Sequence, residues 1–234
     1  MKPIIGILGR AETSKTDMPL VSVQEKERIA IIKSGGIPIL LLPPQEVEYV
    51  NEKPRELPRL TDEEKEIIDR QLQIVDGILL PGGNVSYEYD RYVIEKAIAE
   101  DIPLLGICMG MQVMSFYHKQ PNLEKIESDT NHFERKKKYA HPMFIDVKSK
   151  LYEIIREEKI MVNSIHHYEI QKDESFRIAA ISSDGVIEAI EYPNRHFCLG
   201  VQYHPELLID TDPNSQKLLE AFIDASLHSH HRHI

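Results

Sequence analysis

Short apolar runs alternate with helical segments along the first half of this 234-residue chain. Pro3 to Leu8 predicts a strand, Val23 to Ser34 a helix closed by Gly35-Gly36, and Ile37 to Leu42 a second strand. Gln45 to Leu60 is polar, contains two prolines and predicts a loop. Thr61-Asp62-Glu63-Glu64 fits a capping box opening a helix to about Ile74. A strand at Gly77 to Leu80 follows, then the Pro81-Gly82-Gly83 loop and a helix to about Glu100. Pro103 to Ile107 is again apolar throughout, and Met109 to Lys119 predicts a helix. Strands with no polar face, separated by helices, imply an α/β fold with a parallel sheet covered on both sides.

After about Pro121 the rhythm changes. Met143 to Val147, Ile160 to Val162, Phe176 to Ser182, Val186 to Tyr192 and Leu199 to Gln202 predict strands with few helices between them. A last helix is expected from about Ser215 to Leu227. The expectation is one domain over residues 1–227, whose second half adds mixed or antiparallel strands. His228, His230, His231 and His233 follow in a His-rich tail, residues 228–234, read as frayed and incidental or tag-like.

Charge and composition narrow the function classes. Lys plus Arg number 28 and Asp plus Glu 38, giving a formal net charge of −10. That balance argues against broad binding to a nucleic-acid backbone, and the run Arg135-Lys136-Lys137-Lys138 reads as a solvated loop. No apolar run approaches the roughly 18 residues needed to span a bilayer, and the start lacks the apolar stretch of a secretory signal. Two cysteines cannot form a disulfide framework, so a reducing cytoplasm is the expected location.

One of those cysteines stands in the most informative segment. In Leu104-Leu105-Gly106-Ile107-Cys108-Met109-Gly110-Met111-Gln112 a strand runs into Gly-x-Cys-x-Gly and then a helix. This is the layout of a nucleophile elbow with Cys in place of Ser. Flanking glycines admit close backbone, and the helix amino terminus favours thiolate. The competing reading is a buried Cys at a strand–helix junction.

A thiolate nucleophile needs a base and the base an orienting group. The strand Leu199 to Gln202 delivers His204 and then Glu206, and Pro205 is expected to keep the link extended so that both side chains point the same way. Acyl transfer also needs an oxyanion hole. Backbone N–H groups at the Gly82-Gly83 turn and at Met109 are the candidates, against the reading of a plain Pro-Gly-Gly turn.

Pro81-Gly82-Gly83, Gly106 to Gln112 and Gly200-Val201-Gln202-Tyr203-His204-Pro205-Glu206 together resemble the class I glutamine amidotransferase-like superfamily. Four further stretches are similar to its gamma-glutamyl-gamma-aminobutyrate hydrolase branch: Lys2 to Ile7, Gly35 to Pro38, Val162 to His167 and Ser183 to Ile190. The resemblance implies a flavodoxin-like, mostly parallel core and a Cys108–His204–Glu206 triad working without metal or organic cofactor. It implies a small gamma-glutamyl substrate, cleaved through a gamma-glutamyl thioester, and is consistent with a homodimer. It suggests that Ser164 and His167 line the substrate pocket. Gln112 either contacts the glutamyl moiety or packs its helix. Asn84 and Arg10 are candidates for the glutamyl carboxylate, and Glu25 reads as solvated. Cys198 reads as buried filler.

Many relatives of that branch carry Arg directly after the nucleophile, where this chain has Met109, and Gln where it has Tyr168. An oxyanion role for Met109 uses only backbone and survives the change. The alternative function is a glutaminase subunit supplying ammonia to a separate synthetase. A catalytically silent binding module is a third reading, against which the intact triad argues.

Overall fold

The computed structural model describes residues 1–45 and 59–229. Nine strands form one sheet: β1 (Ile4–Leu8), β2 (Ile37–Leu41), β3 (Gly77–Leu80), β4 (Leu104–Ile107), β5 (His141–Ile145), β6 (Lys159–Val162), β7 (Arg177–Ser182), β8 (Ile187–Glu191) and β9 (Cys198–Val201). Their order is β6-β5-β7-β8-β9-β4-β3-β1-β2. The five strands from β9 to β2 pair in parallel, and the four pairings from β9 outward to β6 are antiparallel. The flavodoxin-like half and its antiparallel extension thus match the sequence expectation.

The covering helices are α1 (Glu25–Lys33), α2 (Asp62–Leu72), α3 (Glu88–Glu100), α4 (Met109–Phe116), α5 (Lys150–Ile155) and α6 (Pro213–Leu227). Strands β3, β4 and β9 are buried along their whole length because helices lie on both sides. Leu79, Leu105 and Ile107 pack with Leu218 and Phe222 of α6 in one core cluster. The alternate residues Ile78, Leu80 and Leu104 pack with Ile94 of α3 and Met111 and Met114 of α4 in the other. Burying each such side chain is worth about 1.5–3 kcal/mol.

Local chemistry sets the helix ends. Thr61 Oγ1 accepts from Glu64 N–H at 3.2 Å and Glu64 Oε2 accepts from Thr61 N–H at 2.6 Å, completing the expected box. Helix α1 starts two residues later than predicted, because Gln24 is its cap and Glu27 Oε2 accepts the Gln24 N–H at 3.1 Å. Gly35, with φ 101°, takes the left-handed step that ends it.

The structure adds elements too short to leave a periodic signal. Helix α5 has six residues, capped by Ser149, whose side chain accepts from Tyr152 N–H. A hairpin pairs Arg10–Thr13 with Pro19–Ser22, and two-residue pairings join Phe133–Glu134 to Ser164–Ile165 and Glu124–Lys125 to Tyr168–Glu169. The Arg135–Lys138 run is exposed, as a solvated loop requires. Most of the predicted Gln45–Leu60 loop and the tail from residue 230 lie outside the described residues. No helix among them is long and apolar enough to cross a membrane.

Candidate active site

The loops after β1, β3, β4 and β9 gather at the carboxyl edge of the parallel half, where open α/β sheets place ligands. Cys108 closes β4 and caps α4 with φ 52° and ψ −109°, a conformation uncommon outside glycine. Its N–H donates to Val201 O at 2.8 Å, which ties the elbow to β9. Both flanking glycines are required by contact. A Cβ on Gly110 would lie 2.2 Å from Leu80 O, and one on Gly106 2.9 Å from Gly110 C. The Cys108 residue is 8% exposed.

His204 follows β9, and its imidazole and the Cys108 side chain both lie against Gly82. His204 Nδ1 faces Glu206 Oε1 at 2.7 Å, so Nε2 remains for the thiol. Burial disfavours the imidazolium. The Glu206 charge and the Cys108 contact outweigh it and hold the His204 pKa well above its ordinary value. The link between the two residues is not extended as predicted: Pro205–Leu207 is a turn of 3-10 helix. Proline has the φ that a first helical turn needs, and the turn itself swings Glu206 back beneath His204.

Asn163 holds this histidine by its backbone. Its Oδ1 accepts from His204 N–H at 2.8 Å, and its Nδ2 donates to His204 O at 2.9 Å.

The Pro81-Gly82-Gly83 loop closes the other side. A Cβ on Gly82 would sit 3.1 Å from His204 Cε1 and 3.7 Å from Cys108 Cβ, so only glycine lets this backbone lie against both. Gly83 is exposed, and a Cβ there would meet Met109 Cε at 3.0 Å and Arg10 at 3.5 Å. Arg10 is buried; its guanidinium pairs with Asp90 and donates to Pro81 O at 2.9 Å. Those bonds brace the loop and leave Nε without a partner.

The remaining candidates have different settings. Gln112 is buried, and its Nε2 donates to Tyr168 O and Gln202 Oε1, each at 3.1 Å. Ser164 is fully buried, and its Oγ donates to His132 O at 2.9 Å. His167 is exposed and stacks on Phe133 with ring centroids 4.1 Å apart. Asn84 is exposed. Cys198 is 4% exposed, and burial pushes its thiol pKa up. Glu25 is exposed and paired with Arg28 at 2.7 Å.

Sequence reasoning passed over Glu27. This α1 residue is 1% exposed, and its pKa is raised to about 8, first by burial and then by the Glu206 charge. In the sequence it is one more helix glutamate close to the solvated Glu25, and nothing local marks it as buried. Among the described residues, one group of metal-ligating side chains converges, His132, His141, His166 and Glu188, on the antiparallel side of the sheet.

Chemically, the Cys108 site pairs a thiol on a helix amino terminus with an imidazole whose second nitrogen is held by a carboxylate. Such a set can generate a thiolate, deliver a proton to a leaving group and activate water in turn.

Fold and site together define a glutamine amidotransferase-like α/β protein with a cysteine elbow. The chain belongs to the Peptidase C26 family, whose model matches residues 54–206. It is 28% identical over 296 aligned positions to the glutamine amidotransferase-like protein RP404 of Rickettsia prowazekii, covering 96% of this chain and 98% of that one. It is also 28% identical to gamma-glutamyl-gamma-aminobutyrate hydrolase PuuD of Escherichia coli, over 97% of this chain and 94% of that protein. The fold is similar to the glutaminase domain of Trypanosoma brucei CTPS, with a TM-score of 0.62, 19% identity and coverage of 96% and 94%.

Proposed function

We propose that the chain is a cysteine-dependent hydrolase that cleaves the gamma-glutamyl amide bond of a small gamma-glutamyl amine. The observation that carries this reading is the Cys108–His204–Glu206 line at the end of β4 and β9, with His204 Nδ1 held by Glu206 at 2.7 Å. Similarity over nearly all of the chain to PuuD supports the substrate class.

In this reading His204 accepts the Cys108 proton, and the thiolate attacks the gamma-carbonyl carbon. Backbone N–H groups of Gly83 and Met109 stabilise the oxyanion. The intermediate collapses to a gamma-glutamyl thioester as imidazolium protonates the departing amine. Water, losing its proton to His204, then attacks the thioester, and glutamate leaves as the thiol is restored. Glu206 keeps the imidazole oriented throughout. Arg10 braces the oxyanion loop through Pro81 O. Gln112, His167 and Asn84 are the candidate substrate contacts, whereas Ser164, expected at the pocket, is fully buried with its hydroxyl on His132 O.

The fold likeness to the glutaminase domain of T. brucei CTPS favours one second reading, a glutaminase that passes ammonia to a separate synthetase. Met109, which lies against Gly83, stands where many members of the resembled branch carry Arg, so neutral or cationic leaving amines are expected to react at least as well as gamma-aminobutyrate. The test is kcat/KM over matched gamma-glutamyl amines and glutamine, read as free glutamate. Faster cleavage of the amines supports the hydrolase. Preference for glutamine, increased by an added synthetase, replaces it with the second reading.

A further inference from the structure

Four buried side chains from separate parts of the chain point their free polar atoms at one spot away from Cys108. His132 precedes the Phe133–Glu134 strand, His141 opens β5, His166 lies between the two short strands after β6, and Glu188 is in β8. Their side chains are 3%, 3%, 2% and 0% exposed. One ligand atom from each lies within 4.8 Å of all the others. Glu188 Oε1 is 3.3 Å from His132 Nδ1, 3.6 Å from His141 Nε2 and 3.7 Å from His166 Nε2.

The outward nitrogens decide what faces inward. His141 Nδ1 bonds Pro142 O and His166 Nδ1 bonds Tyr168 O, each at 3.1 Å. A carbonyl oxygen only accepts, so both Nδ1 atoms carry the proton. His132 Nε2 lies 3.0 Å from Asp184 Oδ2, and that carboxylate is itself held by Ser128 and Ser182. Held this way, His141 and His166 each aim an Nε2 lone pair at the Glu188 carboxylate, and His132 turns Nδ1 toward it; burial lowers the His132 pKa, but the Glu188 and Asp184 carboxylates outweigh it and raise it. His132 Nδ1, His141 Nε2, His166 Nε2 and both Glu188 oxygens have no hydrogen-bond partner.

Two imidazole lone pairs facing a carboxylate in a dry cavity repel it. A proton on His132 Nδ1 leaves both of those lone pairs unanswered. A cation at the centre answers all of them, and outer hydrogen bonds of this kind are what orient histidine ligands on a metal.

We propose that His132, His141, His166 and Glu188 form a closed structural site for a zinc ion. Three imidazoles and one carboxylate are a zinc donor set. Tetrahedral zinc with bonds of about 2.0–2.1 Å separates its ligand atoms by about 3.3 Å, close to the three His–Glu188 distances. The wider separations contract on loading. Four protein donors leave no open position, so the ion's work is to hold chain segments together. Ser164 Oγ and His166 N–H both bond His132 O at 2.9 Å, and Gln202 N–H donates to Glu188 O at 2.8 Å. The ion would therefore pin the segment that presents Asn163 to His204.

The family resemblance implies no metal, and these residues are spread over positions 132 to 188 without a ligand-spaced motif. The His-rich tail is a second potential zinc binder, so the test separates the two. Full-length chains are stripped with chelator, loaded with Zn²⁺, desalted and analysed for metal, all with tail substitutions H230A, H231A and H233A. About one zinc per chain is expected in that background, and near none after H166A or E188Q. Loading is expected to raise the thermal midpoint by roughly 5–10 °C at a hundredfold excess over Kd, and not in the variants. Should H166A and E188Q fail to fold, Co²⁺ in the otherwise native site reads the geometry, through visible bands of tetrahedral intensity. No retained zinc in the tail-substituted chain, undiminished zinc in folded H166A, or octahedral Co²⁺ bands would each overturn the proposal.

Discussion

The side-chain amide of Asn163 grips the main chain of His204 on both sides, accepting its N–H at 2.8 Å and donating to its carbonyl at 2.9 Å. No other residue type of that size offers a donor and an acceptor in one plane. The imidazole is thus aimed at Cys108 by its own backbone as well as by Glu206. Asn163→Ala is expected to lower kcat on the order of 10²-fold with KM little changed, since a misplacement of about an ångström has that effect. Steady-state kinetics on a gamma-glutamyl amine check it; a rise in KM with kcat intact would make Asn163 a substrate contact instead.

Cys108 and Cys198 are both buried but differ in chemistry. Burial pushes the Cys198 thiol pKa up, while Cys108 caps a helix beside an imidazole. Iodoacetamide is expected to alkylate Cys108 well before Cys198, and Cys108→Ala to abolish turnover with the fold intact. Mass mapping of the labelled peptides and circular dichroism are the readouts. Equal labelling rates, or a turning-over Ala variant, would remove Cys108 from its role.

After burial, which lowers it, the Glu206 charge is the foremost influence on the raised His204 pKa. Glu206→Gln therefore moves the alkaline limb of the kcat/KM profile to lower pH, because the imidazolium is lost earlier. His204→Ala is expected to slow acylation on the order of 10²–10⁴-fold, more than the Glu206 change. An unmoved alkaline limb in the Gln variant would mean that another group sets it.

Glu27 links stability to pH. Its carboxyl titrates at about 8 in the folded chain against 4.5 as the ordinary value, with Glu206, Arg10 and His204 as the charged groups acting on it. Between those values the folded chain holds a proton that the unfolded chain has released, so this group's contribution falls as pH rises. Glu27→Gln, which keeps an acceptor for the Gln24 N–H, is expected to gain stability relative to the parent from about pH 5 to about pH 8.5. Urea midpoints at several pH values measure the difference; a gap constant with pH would disprove the buried titration.

Much of this protein is legible in local windows. Apolar runs gave nearly every long strand, the Thr61 box marked α2, and Gly106-Ile107-Cys108-Met109-Gly110 declared a turn whose glycines the structure requires at 2.2 Å and 2.9 Å contacts. Those signals depend on residues within a few positions of one another, which is why they survive without the fold. Even the His204–Glu206 pair is a two-residue spacing, although the link that closes it is a turn of 3-10 helix and not the extended segment that Pro205 suggests.

Other features exist only because the sheet order brings distant loops together. Arg10 meets Asp90 across 80 positions and Asn163 meets His204 across 41, pairings that no periodicity encodes. Glu27 looks like any helix glutamate until packing removes its water. His132, His141, His166 and Glu188 read as scattered polar residues, and only the assembled fold, which brings β5 and β8 of the large sheet together with the separate short pairings around residues 133 and 164–169, turns them into one dry cluster. Sequence sets local backbone preference; desolvation and long-range electrostatics are properties of the assembled fold.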